Sequence, residues 1–410
     1  MDRYPDLTSW EPQFTNDPHP LYGRLRRESP VGKVVLEGLE LWMVTRYEDV
    51  RAGLADVRFS SDPRNAGPAA RAVPWTATSD VSGLTRNLLR TDGADHSRLR
   101  SLISTAFTAR RAAAMRPRIT EIAERLVAGF RHRGEADLIT EFALPLPVAV
   151  IAELLGIPGE DRHEFVKWAN IYTGVEEGDA ARAPEALAAM RDYLVPLIER
   201  RRDRRADDME NGSLLDALIT ARDHGAGLDR EELIAMAFLL LLAGYETTAS
   251  LVGNGVLTLL QYPERLSELR EHPWLIPGAV EELLRYESPV KISPVVRYAT
   301  SDLSFGGQEI KAGDAAVFSL TSANRDPDHF ADPGDLRLRR TVNRHLAFGH
   351  GVHYCLGAPL ARAQAEIALS TLLAGCQDLA LVDPEPVWRH SRLFRGLRRL
   401  PVTFSPSPAW

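Results

Sequence analysis

The order of hydrophobic and polar positions divides this chain into three regions. From Asp95 to about Gln261 the pattern predicts helix after helix, broken at Gly134, at Pro145 and Pro147, at Gly156 and Pro158, and between Gly174 and Pro184. Ahead of it, a short helix through Leu21 to Glu28 precedes a hairpin. There, Val34-Val35-Leu36 and Leu41-Trp42-Met43-Val44 flank Glu37-Gly38. A helix from Tyr47 to Ala55 follows, then a long loop over 61–90 rich in Ala, Pro, Gly and Ser. Beyond a helix ending near Glu287 the pattern turns to strands at 295–298, 303–305 and 315–318, with turns at Gly306-Gly307 and Ala312-Gly313-Asp314. A long apolar helix over Ala358 to Leu373 and a last strand at 400–404 close the chain. The expectation is a mainly α protein with small β-sheets (α+β), folded as one domain over 1–410.

The most apolar stretch lies within residues 229–260. Its run from Leu233 to Tyr245 is too short to cross a bilayer, and Glu246, Thr247 and Thr248 fall where the bilayer centre would be. A helix apolar on all sides in a soluble protein is a buried core helix. Its polar interruption therefore sits inside the protein. A buried carboxylate is costly without a partner, so Glu246 needs water, a base or a function. Thr247 is placed to bond the carbonyl of Ala243, and Gly244 removes a side chain beside it, which predicts a notch holding an acid and a hydroxyl.

Composition narrows the classes. With 410 residues, 44% hydrophobic and 26% charged, the chain is ordinary globular material with ample length for a large core. A net charge of −7 argues against a nucleic-acid partner. The mixed charges over 199–208 read as a solvated helix end. The first twenty residues contain no apolar run, so neither a signal peptide nor a membrane anchor is expected, and the cytoplasm is the expected compartment. Cys355 and Cys376 are the two cysteines, too few for a disulfide framework. Cys376 reads as a core filler.

Cys355 stands in Phe348-Gly-His-Gly-Val-His-Tyr-Cys-Leu-Gly357, just before an apolar helix. Glycines at 349, 351 and 357 suit a loop wrapped against a flat ligand. A helix N-terminus favours the thiolate, which is the metal-binding form of the side chain. Taken alone, a cysteine of this kind is more usually a buried structural thiol.

The whole pattern, Phe-Gly-x-Gly-x-His-x-Cys-x-Gly, resembles the cysteine loop of the cytochrome P450 family, which carries a Cys-ligated haem. The resemblance implies that Cys355 is the metal ligand of heme b, with Phe348 beside the sulfur and Gly349, Gly357, Ala243 and Gly244 against the cofactor. His353, His96, Arg100 and Arg297 would contact the propionates. Ala243-Gly-Tyr-Glu-Thr-Thr248 resembles the family's acid–alcohol pair, in which Thr247 would hydrogen-bond dioxygen and Glu246 would relay protons. Many relatives have Asp at the Glu246 position. Glu282 and Arg285, with Arg340, would form a structural network holding the loop. Gln364 replaces a glutamate common in relatives, so a local salt bridge is missing or comes from Glu366.

The activity implied is O2-dependent insertion of one oxygen atom into a hydrophobic small molecule, a hydroxylation or epoxidation. A tailoring step on a polyketide, macrolide or terpenoid fits the resemblance. The implied pocket walls are Leu240, Ala243, Ile292, Val295, Val296, Leu393 and Phe394, together with the 75–90 loop and residues near 171–184. Electrons would come from NAD(P)H through ferredoxin reductase and ferredoxin. The ferredoxin would dock on a basic patch of Arg100, Arg110, Arg111, Arg344 and Arg362, and the protein would act as a monomer. Two other classes stay open from sequence: a haem-thiolate peroxygenase, isomerase or coupling enzyme, and a non-catalytic haem sensor.

Overall fold

The computed structural model describes residues 4–7, 12–73, 76, 83, 84, 86–104, 107–173, 179–202, 214–223 and 228–406. In it the hairpin forms between Val31–Leu36 and Leu39–Val44, with Val31 opposite Val44 and Leu36 opposite Leu39. Glu37 at φ 45° and Gly38 at φ 79° make the left-handed two-residue turn that this register requires. Leu39–Val44 then pairs in parallel with Ala315–Phe318, which pairs antiparallel with Arg297–Ala299. Phe59–Ser60 completes a five-stranded sheet. The strand expected at 295–298 is displaced and begins at Arg297. Pro294, which has no N–H to donate, stands just before it.

The expected core helix runs Arg230–Gln261. Asp229 caps it: its side chain accepts from Glu232 N at 2.7 Å, while Glu232 Oε2 accepts from Asp229 N at 2.9 Å. Its first half packs Leu233, Ile234 and Phe238 against Ile151, Leu194 and Leu218. Its second half packs Leu251, Val256 and Leu257 against Ile122, Val127, Leu283 and Leu372. Each fully buried leucine contributes about 1.5–3 kcal/mol of transfer free energy, which explains an apolar run with no membrane.

Among the described residues, the helical middle of the chain contains one strand the pattern did not suggest. Glu135–Asp137 is three residues long and pairs with Pro401–Ser405, which also pairs with Gln377–Leu381. So short a segment carries almost no periodicity of its own. Within the loop expected over 61–90, Pro63–Asn65, Pro68–Arg71 and Leu88–Arg90 are helical turns. Residues 74, 75, 77–82 and 85 of it, 174–178 of the expected pocket wall near 171–184, and 203–208 of the charged run lie outside the described residues.

The cysteine loop leads into the helix Ala358–Gly375, with Cys376 buried just beyond it in the core. Gly351 has φ 73°, and a Cβ there would stand 2.9 Å from the Leu54 carbonyl oxygen. This glycine lets the loop lie directly on the end of the Tyr47–Ala55 helix.

Candidate active site

A cavity of about 1060 Å³ separates the central helix from the cysteine loop. Leu240, Ala243, Gly244 and Thr247 line it from the helix, and Phe348, Gly349, His353, Cys355 and Gly357 from the loop. Ile292, Val295, Val296, Leu393 and Phe394 close other sides, so the seven pocket residues named individually from sequence lie on one cavity.

Cys355 exposes its side chain on this cavity wall. Its backbone N–H donates to the Phe348 carbonyl at 3.0 Å. The Phe348 ring lies beneath the Arg362 guanidinium, 4.5 Å away, and Arg362 is held by Glu281 at 2.7 and 2.8 Å. The expectation of a lowered thiol pKa does not hold for the protein alone. Burial pushes the thiol up, and the N–H groups of Gly357 and Ala358 with Arg100 and Arg362 offset it only in part.

Thr247 donates to the Ala243 carbonyl at 3.0 Å, the i−4 bond expected at the notch. Gly244 has a second use: a Cβ would come within 2.9 Å of the Ile151 side chain, so the glycine also admits the neighbouring helix. Glu246 differs from expectation, because it does not line the cavity. It is 2% exposed, and both its oxygens accept from Arg389 Nη1, at 2.8 and 2.9 Å. The base that a buried carboxylate needs is thus an arginine 143 positions away, which no local pattern indicated.

At another edge of the cavity, His96 and His353 have ring centroids 4.3 Å apart. Arg297 and Arg100 line the wall with His353, whereas His96 stands behind it. Arg100 Nη2 donates to the Tyr354 carbonyl at 2.8 Å, and Arg297 Nη1 to the Phe59 carbonyl at 3.4 Å. Sequence reasoning missed Asp92. Its Oδ1 lies 3.3 Å from His353 Nε2, and its Oδ2 accepts from Ser60 Oγ at 2.6 Å and Ser61 N at 2.8 Å. Burial lowers His96 to about 4 and Arg297 to about 10, so both sit where positive charge is poorly compensated.

Beneath the loop, Glu282 and Arg285 are fully buried and joined at 2.7 and 2.8 Å. Arg340 Nε reaches Glu282 at 3.0 Å, and Asn343 Nδ2 adds a donor at 3.1 Å. Arg285 also donates to the carbonyls of Asn324, Pro333 and Asp335. Gln364 is buried, and Glu366 pairs elsewhere, with Arg116 at 2.7 Å.

Comparison with known proteins decides the family. The profile described as Cytochrome P450 matches residues 146–272 and 275–387. The chain belongs to the cytochrome P450 family. It is 42% identical to the vitamin D(3) 25-hydroxylase of Pseudonocardia autotrophica, over 97% of this chain and 96% of that one. It is 40% identical to the polyketide biosynthesis cytochrome P450 PksS of Bacillus subtilis, over 96% and 97%. Among solved structures, the tirandamycin C-bound P450 monooxygenase TamI superposes with a TM-score of 0.88 at 41% identity, covering 98% of this chain and all of that one. This cytochrome P450 is a haem-iron monooxygenase that uses dioxygen and redox partners.

The residues present fit that prosthetic group. Cys355 presents a sulfur to the cavity. His96 Nε2, His353 Nδ1 and Arg297 Nε are buried with no hydrogen-bond partner among the described residues. Orphaned donors of this kind are costly unless something accepts from them, and a pair of carboxylates is suited to do so.

Proposed function

We propose that this cytochrome P450 inserts oxygen into an apolar secondary metabolite of polyketide or macrolide type. In this reading it holds heme b through Cys355 and binds the propionates with Arg100, Arg297, His353 and His96. The reading is supported by a cavity whose walls carry the Cys355 sulfur and the Thr247 notch together. Haem, when bound, supplies the activation of dioxygen, favoured by thiolate donation.

The chain's own residues then have separable tasks. The Glu281–Arg362 pair and the Phe348 ring set the loop, and the bond from Cys355 N to Phe348 O fixes the sulfur's direction. Ala243 and Gly244 leave room beside Thr247, whose hydroxyl already carries a bond and can exchange it for one into the cavity. Glu246 moves a proton toward Thr247 only if it leaves Arg389. Leu240, Ile292, Val295, Val296, Leu393 and Phe394 hold an apolar substrate and exclude water.

Electrons reach the site from NAD(P)H through ferredoxin reductase and ferredoxin, and the enzyme acts as a cytoplasmic monomer. Arg110, Arg111 and Arg344 are exposed and available for that docking, whereas Arg362 is committed to Glu281. The test is turnover of purified holoprotein with ferredoxin, ferredoxin reductase and NADPH against a macrolide and polyketide panel. The reading expects a product heavier by one oxygen atom that requires both NADPH and O2. Turnover without an electron donor, or conversion without oxygen gain, would contradict it.

A further inference from the structure

The pair that shapes the cysteine loop also carries charge. Arg362 stands 4.5 Å above the Phe348 ring, and the Phe348 carbonyl accepts the Cys355 N–H at 3.0 Å, so cation, ring and sulfur belong to one compact unit. Arg100 and Arg362 are the cations that act on the Cys355 thiol, and both favour the thiolate. Arg100 meets the loop at the Tyr354 carbonyl, 2.8 Å away. Arg362 instead meets a carboxylate: its Nε and Nη2 donate to the two oxygens of Glu281 at 2.7 and 2.8 Å, the paired geometry in which a guanidinium binds most firmly.

Glu281 is fixed from its other side by His345. The Ala347 N–H lies 3.2 Å from His345 Nδ1, and a backbone N–H can only donate, so Nδ1 is the accepting nitrogen. The ring proton therefore sits on Nε2, 3.2 Å from Glu281 Oε2, and His345 is a neutral donor to that carboxylate. Its side chain is 3% exposed, and its ring centre stands 5.8 Å from that of Phe348. The negative charge of Glu281 is thereby held against Arg362 and kept from turning outward.

Uptake of one electron from the redox partner leaves a bound haem one charge more negative. A cation fixed beside the thiolate ligand stabilises that reduced form, and a carboxylate that neutralises the cation weakens the effect. The Arg362 and Glu281 side chains are 31 and 29% exposed, so solvent screens the pair without cancelling it.

We propose that Arg362 and Glu281 form a charge couple that sets the reduction potential of the Cys355-bound haem, Arg362 raising it and Glu281 holding it down. This rests on the reading of Cys355 as the haem ligand and assigns its neighbours a part in electron entry. His345 is the positioning residue of the couple, acting through Glu281.

Potentiometric titration of haem-loaded protein without substrate, followed by absorbance, tests it. Arg362→Gln should lower the reduction equilibrium constant about tenfold, which for one electron is about 59 mV toward negative potential. Glu281→Gln should move it the opposite way, several-fold in favour of the reduced form. Arg362→Lys, which keeps the charge, should stay near the parent. A loop merely loosened by substitution would shift both glutamine variants in one direction and would not be rescued by lysine. Shifts of the same sign, an unshifted Glu281→Gln, or an Arg362→Lys value equal to that of Arg362→Gln would each overturn the proposal. Should Arg362→Gln fail to hold haem, Glu281→Gln and Arg362→Lys decide alone: a potential above the parent in the first and near it in the second supports the couple, and any other result removes it. If the thiolate band of the reduced carbon monoxide adduct is present in the same samples, a contrary result removes only the charge couple. If the parent lacks the band, the reading of Cys355 falls as well.

Discussion

Arg389 Nη1 bridges both carboxylate oxygens of Glu246, at 2.8 and 2.9 Å, and ties the middle of the central helix to the segment that follows the short strand Val387–Trp388. Glu246 is 2% exposed, and the Arg389 side chain 10%. Nearby, a Cβ on Gly396 would stand 2.5 Å from Ser250 Oγ, so these two segments are in close contact. The acid proposed as a proton relay is therefore also a cross-link.

Breaking one side of such a pair strands a buried charge. Arg389→Ala should lower unfolding stability by about 3–5 kcal/mol, whereas Glu246→Gln combined with Arg389→Gln should cost distinctly less. Urea denaturation of the two variants beside the parent measures the difference. Equal losses would mean that the pair contributes no coupling.

Thr247 is proposed to exchange its bond to Ala243 for one into the cavity, so its loss should alter the fate of electrons more than their supply. Thr247→Ala should consume NADPH at about the parental rate while sending most of it to hydrogen peroxide. Peroxide and product quantified in the same reaction check this. Unchanged coupling with the best substrate would remove Thr247 from the mechanism.

Glu281 gives a pH dependence with a definite sign. Burial alone would raise its carboxyl, but His345 at 3.2 Å and Arg362 at 2.7 Å outweigh that and hold it at about 2, below the ordinary 4.5. A depressed carboxyl stabilises the fold fully above its unfolded value and loses that contribution as pH falls from about 4.5 toward 2. Linkage puts the loss at about 3 kcal/mol. Thermal unfolding across pH 2 to 6 should show a steeper acid decline in the parent than in Glu281→Gln.

Arg285 is fully buried with Glu282 and three carbonyl oxygens as partners. Arg285→Ala removes every one of those bonds and leaves the Glu282 charge to Arg340, Asn343 and the Arg337 N–H. A loss of at least about 3 kcal/mol is expected, with soluble holoprotein strongly reduced. Soluble yield and the ratio of haem absorbance to protein absorbance would show it. A normal yield and ratio would deny the network a supporting role.

The parts of this fold that could be read from sequence are those written in neighbouring residues. The Glu37-Gly38 turn, the Tyr47–Ala55 helix and the bond from Thr247 to Ala243 depend on residues at most a few positions apart, and each is present. The cysteine loop is equally local. What stayed hidden depends on distant segments meeting. Glu246 finds Arg389, and His353 finds Asp92, across separations that leave no periodic trace. The thiol of the protein alone differs from expectation for a related reason. The helix N-terminus beside Cys355 is visible in sequence, whereas the burial that outweighs it appears only once the chain is folded.

The account as a whole turns on Cys355. Reduced, haem-loaded protein exposed to carbon monoxide should show the long-wavelength absorption band that sulfur ligation produces, and Cys355→Ala should abolish it. A parent protein without that band, or an alanine variant that keeps it, would contradict the assignment.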